Sequence, residues 1–213
     1  MKRFTVTLAM FGAIGVHGAI LDRIAVTVGK HVIAESDVIH DLRVAAFLDQ
    51  RPVDLSGAEK RKSADRLVDQ YLILQDAALS RLPLPTDETA AALLQQVKSQ
   101  YRSDGDYRAA LVRYEITEED VSSHLLAGVR ALRYTDLRFR PEIQVSDEEV
   151  RDFYNTLAAD WRKKNPNNVP SFEESREQTE KLLTDQRTAQ ALDRWLGAQR
   201  NETQILYREQ VFQ

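Results

Sequence analysis

Two runs rich in β-formers open the periodic part of the chain, Ile24-Ala25-Val26-Thr27-Val28 and His31-Val32-Ile33-Ala34. Between them, Gly29-Lys30 is a two-residue connection with glycine first. That is the arrangement of a type II′ turn, because glycine takes a positive φ without steric cost. The pattern predicts a small hairpin. From Ser36 onward the apolar positions change period and recur every three or four residues nearly to the end. Leu67, Tyr71, Leu74 and Ala78 form one stripe, and Val68, Leu72 and Leu79 add a second beside it. A face that broad predicts a helix running through the middle of the fold. Val121, Leu125, Gly128 and Leu132 repeat the spacing, as do Leu182, Ala189, Leu192 and Leu196.

Helix starts are marked by a hydroxyl with an acid three residues on: Ser56 with Glu59, Thr117 with Asp120, Ser146 with Glu149 and Ser171 with Glu174. Each fits a capping box, in which the hydroxyl accepts a free first-turn amide and the acid reaches back. Acids there also favour the positive end of the helix dipole. The clusters Glu118-Glu119-Asp120 and Asp147-Glu148-Glu149 are therefore read as caps, not as catalytic pairs. Pro83-Leu84-Pro85 and Pro141 break the chain between helices, and so does Asn165-Pro166-Asn167-Asn168-Val169-Pro170.

The run Gln204-Ile205-Leu206-Tyr207-Arg208 returns to β-formers and reads as a strand. An isolated hairpin is marginal in water, so this strand is expected to pair with the N-terminal hairpin. The expected fold is mainly α, a multi-helix core with a small antiparallel sheet that joins the two ends of the chain.

Composition narrows the function classes. Of 213 residues, 43% are hydrophobic and 29% charged, with 8 Gly and 6 Pro and no repeat or biased tract, so a folded chain is expected. The net charge of −4 argues against general nucleic-acid binding, which needs clustered cations to neutralise phosphates. Lys60-Arg61-Lys62 and Arg162-Lys163-Lys164 lie among acids and read as solvated helix faces.

Met1 to Ile24 has Lys2 and Arg3, then no charge until Asp22. A basic start, an apolar middle and small residues near Gly18 are the layout of a secretory signal. Residues 1–18 are read as a signal peptide cleaved after Gly18, with Ala19 as the neighbouring alternative. A retained anchor is the competing reading, although Phe4 to Leu21 would span a bilayer only barely. Cleavage removes two cations and leaves an acidic exported chain, 19–213, with no stable membrane anchor. The absence of cysteine suits an oxidising compartment.

Motifs for chemistry are missing. There is no Gly-rich phosphate loop, GxSxG elbow or HExxH, and no thiol. His17 falls in the signal. His40 lies between Asp37 and Asp41, and His124 lies one turn after Asp120, so both are read as helix-surface ion pairs within their own helices. No catalytic residue, cofactor site or metal site is assigned.

The string Asp22 to Val38, DRIAVTVGKHVIAESDV, resembles the segment that follows the signal in SurA-type periplasmic chaperones, a hairpin running straight into a helix. Leu67 to Ala78, LVDQYLILQDAA, is similar to that family's next helix, and Pro85-Thr86-Asp87-Glu88 to the break and acid-rich start after it. Arg187 to Val211, with Trp195-Leu196 and the terminal strand, looks like the family's returning C-terminal helix and strand. The resemblance implies one SurA-like chaperone domain, with 19–164 and 171–213 forming one body joined by 165–170. Relatives usually insert parvulin prolyl isomerase domains at that corner. Here a few residues occupy it, so isomerase activity is not inherited with the resemblance.

What the resemblance implies is an ATP-independent periplasmic holdase, whose partners are unfolded outer-membrane or secreted polypeptides. Tyr71, Tyr101, Tyr107, Tyr114, Leu125, Val129 and Tyr134 are the candidate client-binding side chains, expected on a partly exposed surface of the middle helices. A prolyl isomerase, or an assembly subunit with one fixed partner, are the alternatives.

Overall fold

The computed structural model describes residues 22–164 and 169–213. The signal segment read at 1–18 and most of the corner at 165–170 lie outside the described residues. No helix among the described residues is long and apolar enough to cross a membrane.

The predicted hairpin forms. β1 (Ile24–Val28) pairs antiparallel with β2 (His31–Ala34), Val28 opposite His31 and Thr27 opposite Val32. Gly29 takes φ +58°, as the first central position of a type II′ turn requires. β3 (Ile205–Tyr207) pairs with the other edge of β1, Val28 opposite Ile205 and Val26 opposite Tyr207, giving the order β2-β1-β3. An irregularity in register between Ile24 and Val26 turns two successive side chains, Ala25 and Val26, into the core.

The described residues form a mainly helical fold. Its helices are α1 (Glu35–Leu48), α2 (Gly57–Leu79), α3 (Asp87–Ser99), α4 (Asp104–Tyr114), α5 (Glu118–Arg138), α6 (Asp147–Lys164) and α7 (Phe172–Glu202). The broad apolar face of α2 explains its central place: it packs against the sheet, α1, α5 and α7.

Three of the four predicted capping boxes form. Thr117 and Asp120, Ser146 and Glu149, and Ser171 and Glu174 each exchange both bonds. The fourth does not. The Ser56 hydroxyl caps nothing; its amide donates to Asp54 Oδ1 at 2.8 Å, and Glu59 turns to Lys62 at 2.6 Å. An acceptor two residues upstream outcompetes one three residues downstream. At α4, Ser103 supplies a cap the sequence reading did not single out, accepting from the Asp106 amide at 3.1 Å.

Burial is organised in three clusters. Ala25, Val26, Val28 and Ile33 of the sheet cover Val38, Leu42, Val68 and Leu72, with Val211 closing the layer. Phe47 at the end of α1 meets Tyr107 and Leu111 of α4 and Val121 of α5. The far half of α2 meets Tyr134 and Phe139, with Leu192 and Trp195 of α7 against them. The apolar stripes are displaced at some positions from those expected. Leu79, Leu132 and Leu182 are exposed, while Leu126 and Leu183 are buried. The predicted stripes hold at Val121, Leu125, Leu192 and Leu196, but at Leu182 the neighbouring Leu183 is the one that buries, because adjacent leucines leave the facing direction open until a partner helix is fixed.

A polar clamp fastens the returning segment to α2. Arg200 Nε donates to Asp69 Oδ1 at 2.8 Å and Nη2 to the Asp65 carbonyl at 2.9 Å. The Tyr207 hydroxyl donates to Asp65 Oδ1 at 2.5 Å, and the Arg61 guanidinium lies over the Tyr207 ring at 3.7 Å. Burial and the Asp65 bond push the Tyr207 phenol up to about 12.

Candidate functional site

Two concave surfaces are candidates for binding. The first is a cleft of about 510 Å³ between β2, α1, α2 and α5. The hairpin feeds directly into α1, which places His31 of β2 beside α2, where its ring stacks on Tyr71 at 4.1 Å and 3°. α1 contributes Asp37, His40 and Asp41, and α5 contributes Asp120 and His124. The second is an apolar groove of about 370 Å³ between α6 and α7, lined by Leu157, Trp161, Val169, Pro170 and Leu182. Trp161 is 46% and Leu182 45% exposed.

His124 pairs between helices, not within its own helix as expected from the sequence. His124 Nδ1 stands 3.3 Å from Asp41 Oδ1 of α1. Asp120, the expected partner of His124, is held by its cap, accepting from the Thr117 amide at 2.7 Å and hydroxyl at 2.8 Å. Burial pushes the Asp120 carboxyl up, but these bonds and the charge of His40 outweigh it and leave it below the usual carboxylate range. The helix crossing that puts His124 opposite Asp41 has no local sequence signal.

Asp41 is the most enclosed ionisable group of the cleft, its side chain 3% exposed. Oδ2 accepts from Ser63 Oγ at 2.6 Å and from Arg66. Oδ1 accepts no hydrogen bond of good geometry. Burial alone would raise this carboxyl; His124, Ser63 and the charge of Arg66 reverse the sign and hold it low. Glu35, braced by Lys60 at 2.9 Å and Arg23 at 2.6 Å, is lowered in the same way.

A carboxyl depressed by folding stabilises the fold above its unfolded value, and that contribution is lost as pH falls through the folded one. Stability is therefore expected to drop once pH passes below about 4, the ordinary carboxylate value. Asp41→Asn is expected to lower stability at neutral pH by about 1–3 kcal/mol, because an amide cannot hold Arg66 as an ion pair. It should also flatten the acid limb. Urea titrations at several pH values check both effects, and an unchanged acid limb would remove Asp41 from this account.

Of the residues expected to bind clients, Tyr71 alone lines the cleft. Tyr107 and Tyr134, expected on a partly exposed surface, are instead 1% and 0% exposed. Tyr107 joins Tyr101 and Tyr114 around the Phe47 ring, and burial, with the negative charge of Glu118 nearby, pushes its phenol up to about 12. The Tyr114 hydroxyl donates to the Arg51 carbonyl at 3.0 Å. Leu125 packs on the same cluster, and Val129 is half-buried on α5. These tyrosines carry the helical period; Tyr114 and Tyr134 satisfy their hydroxyls locally, whereas the buried Tyr107 hydroxyl has no hydrogen-bond partner among the described residues and the ring is held by packing. The sequence reading did not single out Trp161, whose role depends on how α6 lies against α7.

No group of three or more His, Asp or Glu among the described residues is placed to hold a metal ion. A scan against protein-family models finds no match, and a search of curated proteins finds no match either.

Proposed function

We propose that the chain is an ATP-independent periplasmic holdase of the SurA type, which keeps unfolded outer-membrane or secreted polypeptides from aggregating. The resemblance of Asp22 to Val38 and of Leu67 to Ala78 to segments of that family supports the reading. The observation that carries the reading is the α6–α7 groove, where Trp161 and Leu182 leave an apolar surface open beside Leu157 and Val169. Such a groove suits weak, reversible capture of extended apolar segments and requires no catalytic group. The client surface thereby moves from the tyrosines of the middle helices to the α6–α7 pair.

The chain lacking residues 1–18 is expected to suppress aggregation of several unrelated unfolded β-barrel proteins without nucleotide. Trp161→Ser should weaken client binding about thirtyfold, since burying the open part of a tryptophan contributes about 2 kcal/mol. Trp161 is half-exposed, so a thermal melt should change little. Suppression confined to one partner would overturn the holdase reading in favour of an assembly subunit. Acceleration of a proline-limited refolding reaction would show an isomerase.

A further inference from the structure

We propose that the cleft between β2, α1, α2 and α5 recognises a basic residue in an extended polypeptide, whose backbone adds to the open edge of β2 while its lysine or arginine enters the cleft. The inference rests on the reading that the chain captures extended polypeptides, and names a second subsite for them.

β2 is an outer strand of the sheet, with β1 as its neighbour. Val28 and His31 flank the two-residue turn and so form a hydrogen-bonded pair. Alternation then directs the amides and carbonyls of His31 and Ile33 toward β1 and those of Val32 outward. Val32 is 46% exposed, and among the described residues its backbone makes no hydrogen bond outside the sheet, which leaves this edge open to an added strand.

His31, Val32 and Ile33 bring this edge to the cleft, and Asp37, Asp41 and Asp120 line its interior, while the lining contains neither lysine nor arginine. The groups facing a bound cation are those three carboxylates and His31, His40 and His124. Arg66 approaches Asp41 through Oδ2, where Ser63 also binds. Oδ1 faces His124 Nδ1 at 3.3 Å but accepts no hydrogen bond of good geometry, although the side chain is almost fully enclosed. A buried carboxylate oxygen without a donor is costly, and a guanidinium or ammonium entering from the cleft would supply one. Val44, Leu67 and Leu74 give the aliphatic stem of such a residue an apolar wall.

The test uses the whole purified chain and a fluorescent extended peptide that alternates valine and threonine around one central arginine. Replacing that arginine with glutamine should weaken binding roughly tenfold, and replacing it with glutamate more than that. N-methylation of the peptide amides that face β2 should abolish binding, while methylation of the alternate amides should leave it. These changes are made on the peptide, so protein folding does not enter. Val32→Pro, which removes the outward amide, should match the effect of methylation. Equal binding of the arginine, glutamine and glutamate peptides overturns the proposal, and so does indifference to methylation. A concentration-dependent dimer that the peptide fails to dissociate would show a second copy of the chain on this edge, and equally overturns it. Aggregation suppression that persists without a charge preference would sink this subsite and leave the holdase standing. Peptide binding with no suppression would do the reverse.

Discussion

Tyr134→Ala is expected to destabilise the fold by about 4 kcal/mol, in the range for deleting a buried aromatic ring. Tyr134 is fully buried, its ring 5.8 Å from Phe139 and 5.5 Å from Trp195, so truncation opens a void where α2, α5 and α7 meet. For a domain of this size that corresponds to a melting temperature lower by about 10 °C. The hydroxyl is a smaller part. It donates to Asp76 Oδ2 at 2.7 Å, and Asp76 is half-exposed, so water can replace the donor. Tyr134→Phe should therefore cost about 1 kcal/mol. Denaturant unfolding of the two variants decides the matter. If Phe proves as damaging as Ala, the polar bond and not the packed ring holds this junction.

Gly57→Ala separates two effects of opposite sign. Helix propensity alone favours alanine by up to about 1 kcal/mol, and less at the first turn. Sterically, a Cβ at Gly57 would lie 1.8 Å from the Phe212 carbonyl oxygen and 2.6 Å from its carbon. Those are backbone atoms, which cannot swing aside as a flexible side chain would. Either the start of α2 or the segment carrying Val211 must shift, at a cost of about 2–3 kcal/mol. The steric effect wins, and a net loss of about 2 kcal/mol is expected. Loss of hydrogen-exchange protection confined to residues 205–212 would identify the returning segment as the part that yields. A gain in stability would mean that the contact is easily relaxed.

The hairpin, the third strand and most helix starts were legible because each is written locally. Gly29 with Lys30 specifies the turn, Ile205 to Tyr207 are β-formers, and three hydroxyl–acid pairs reach partners a single turn away. Ser56 failed because Asp54, also local, competed for the same region. What was not legible depends on how helices cross. His124 beside Asp41 in place of Asp120 follows from the contact of α1 with α5, which no window of sequence contains. The tyrosines show the same limit. Amphipathic spacing finds the faces that bury, so it led to core residues, whereas the open groove lies where α7 leaves Leu182 and Trp161 partly uncovered.

The pairing of β1 with β3 also bears on how the chain reaches its fold. Until residues 205–211 arrive, β1 has one unsatisfied edge, and the layer beneath it lacks Ile205, Tyr207 and Val211. Closing that layer joins segments from opposite ends of the chain, so a large loop entropy must be overcome before the contacts repay it. Helices α1 to α5 pack largely on one another and can assemble before residues 205–211 arrive. The sheet is the late step, and a growing chain remains open at its N-terminal hairpin until its final strand is made.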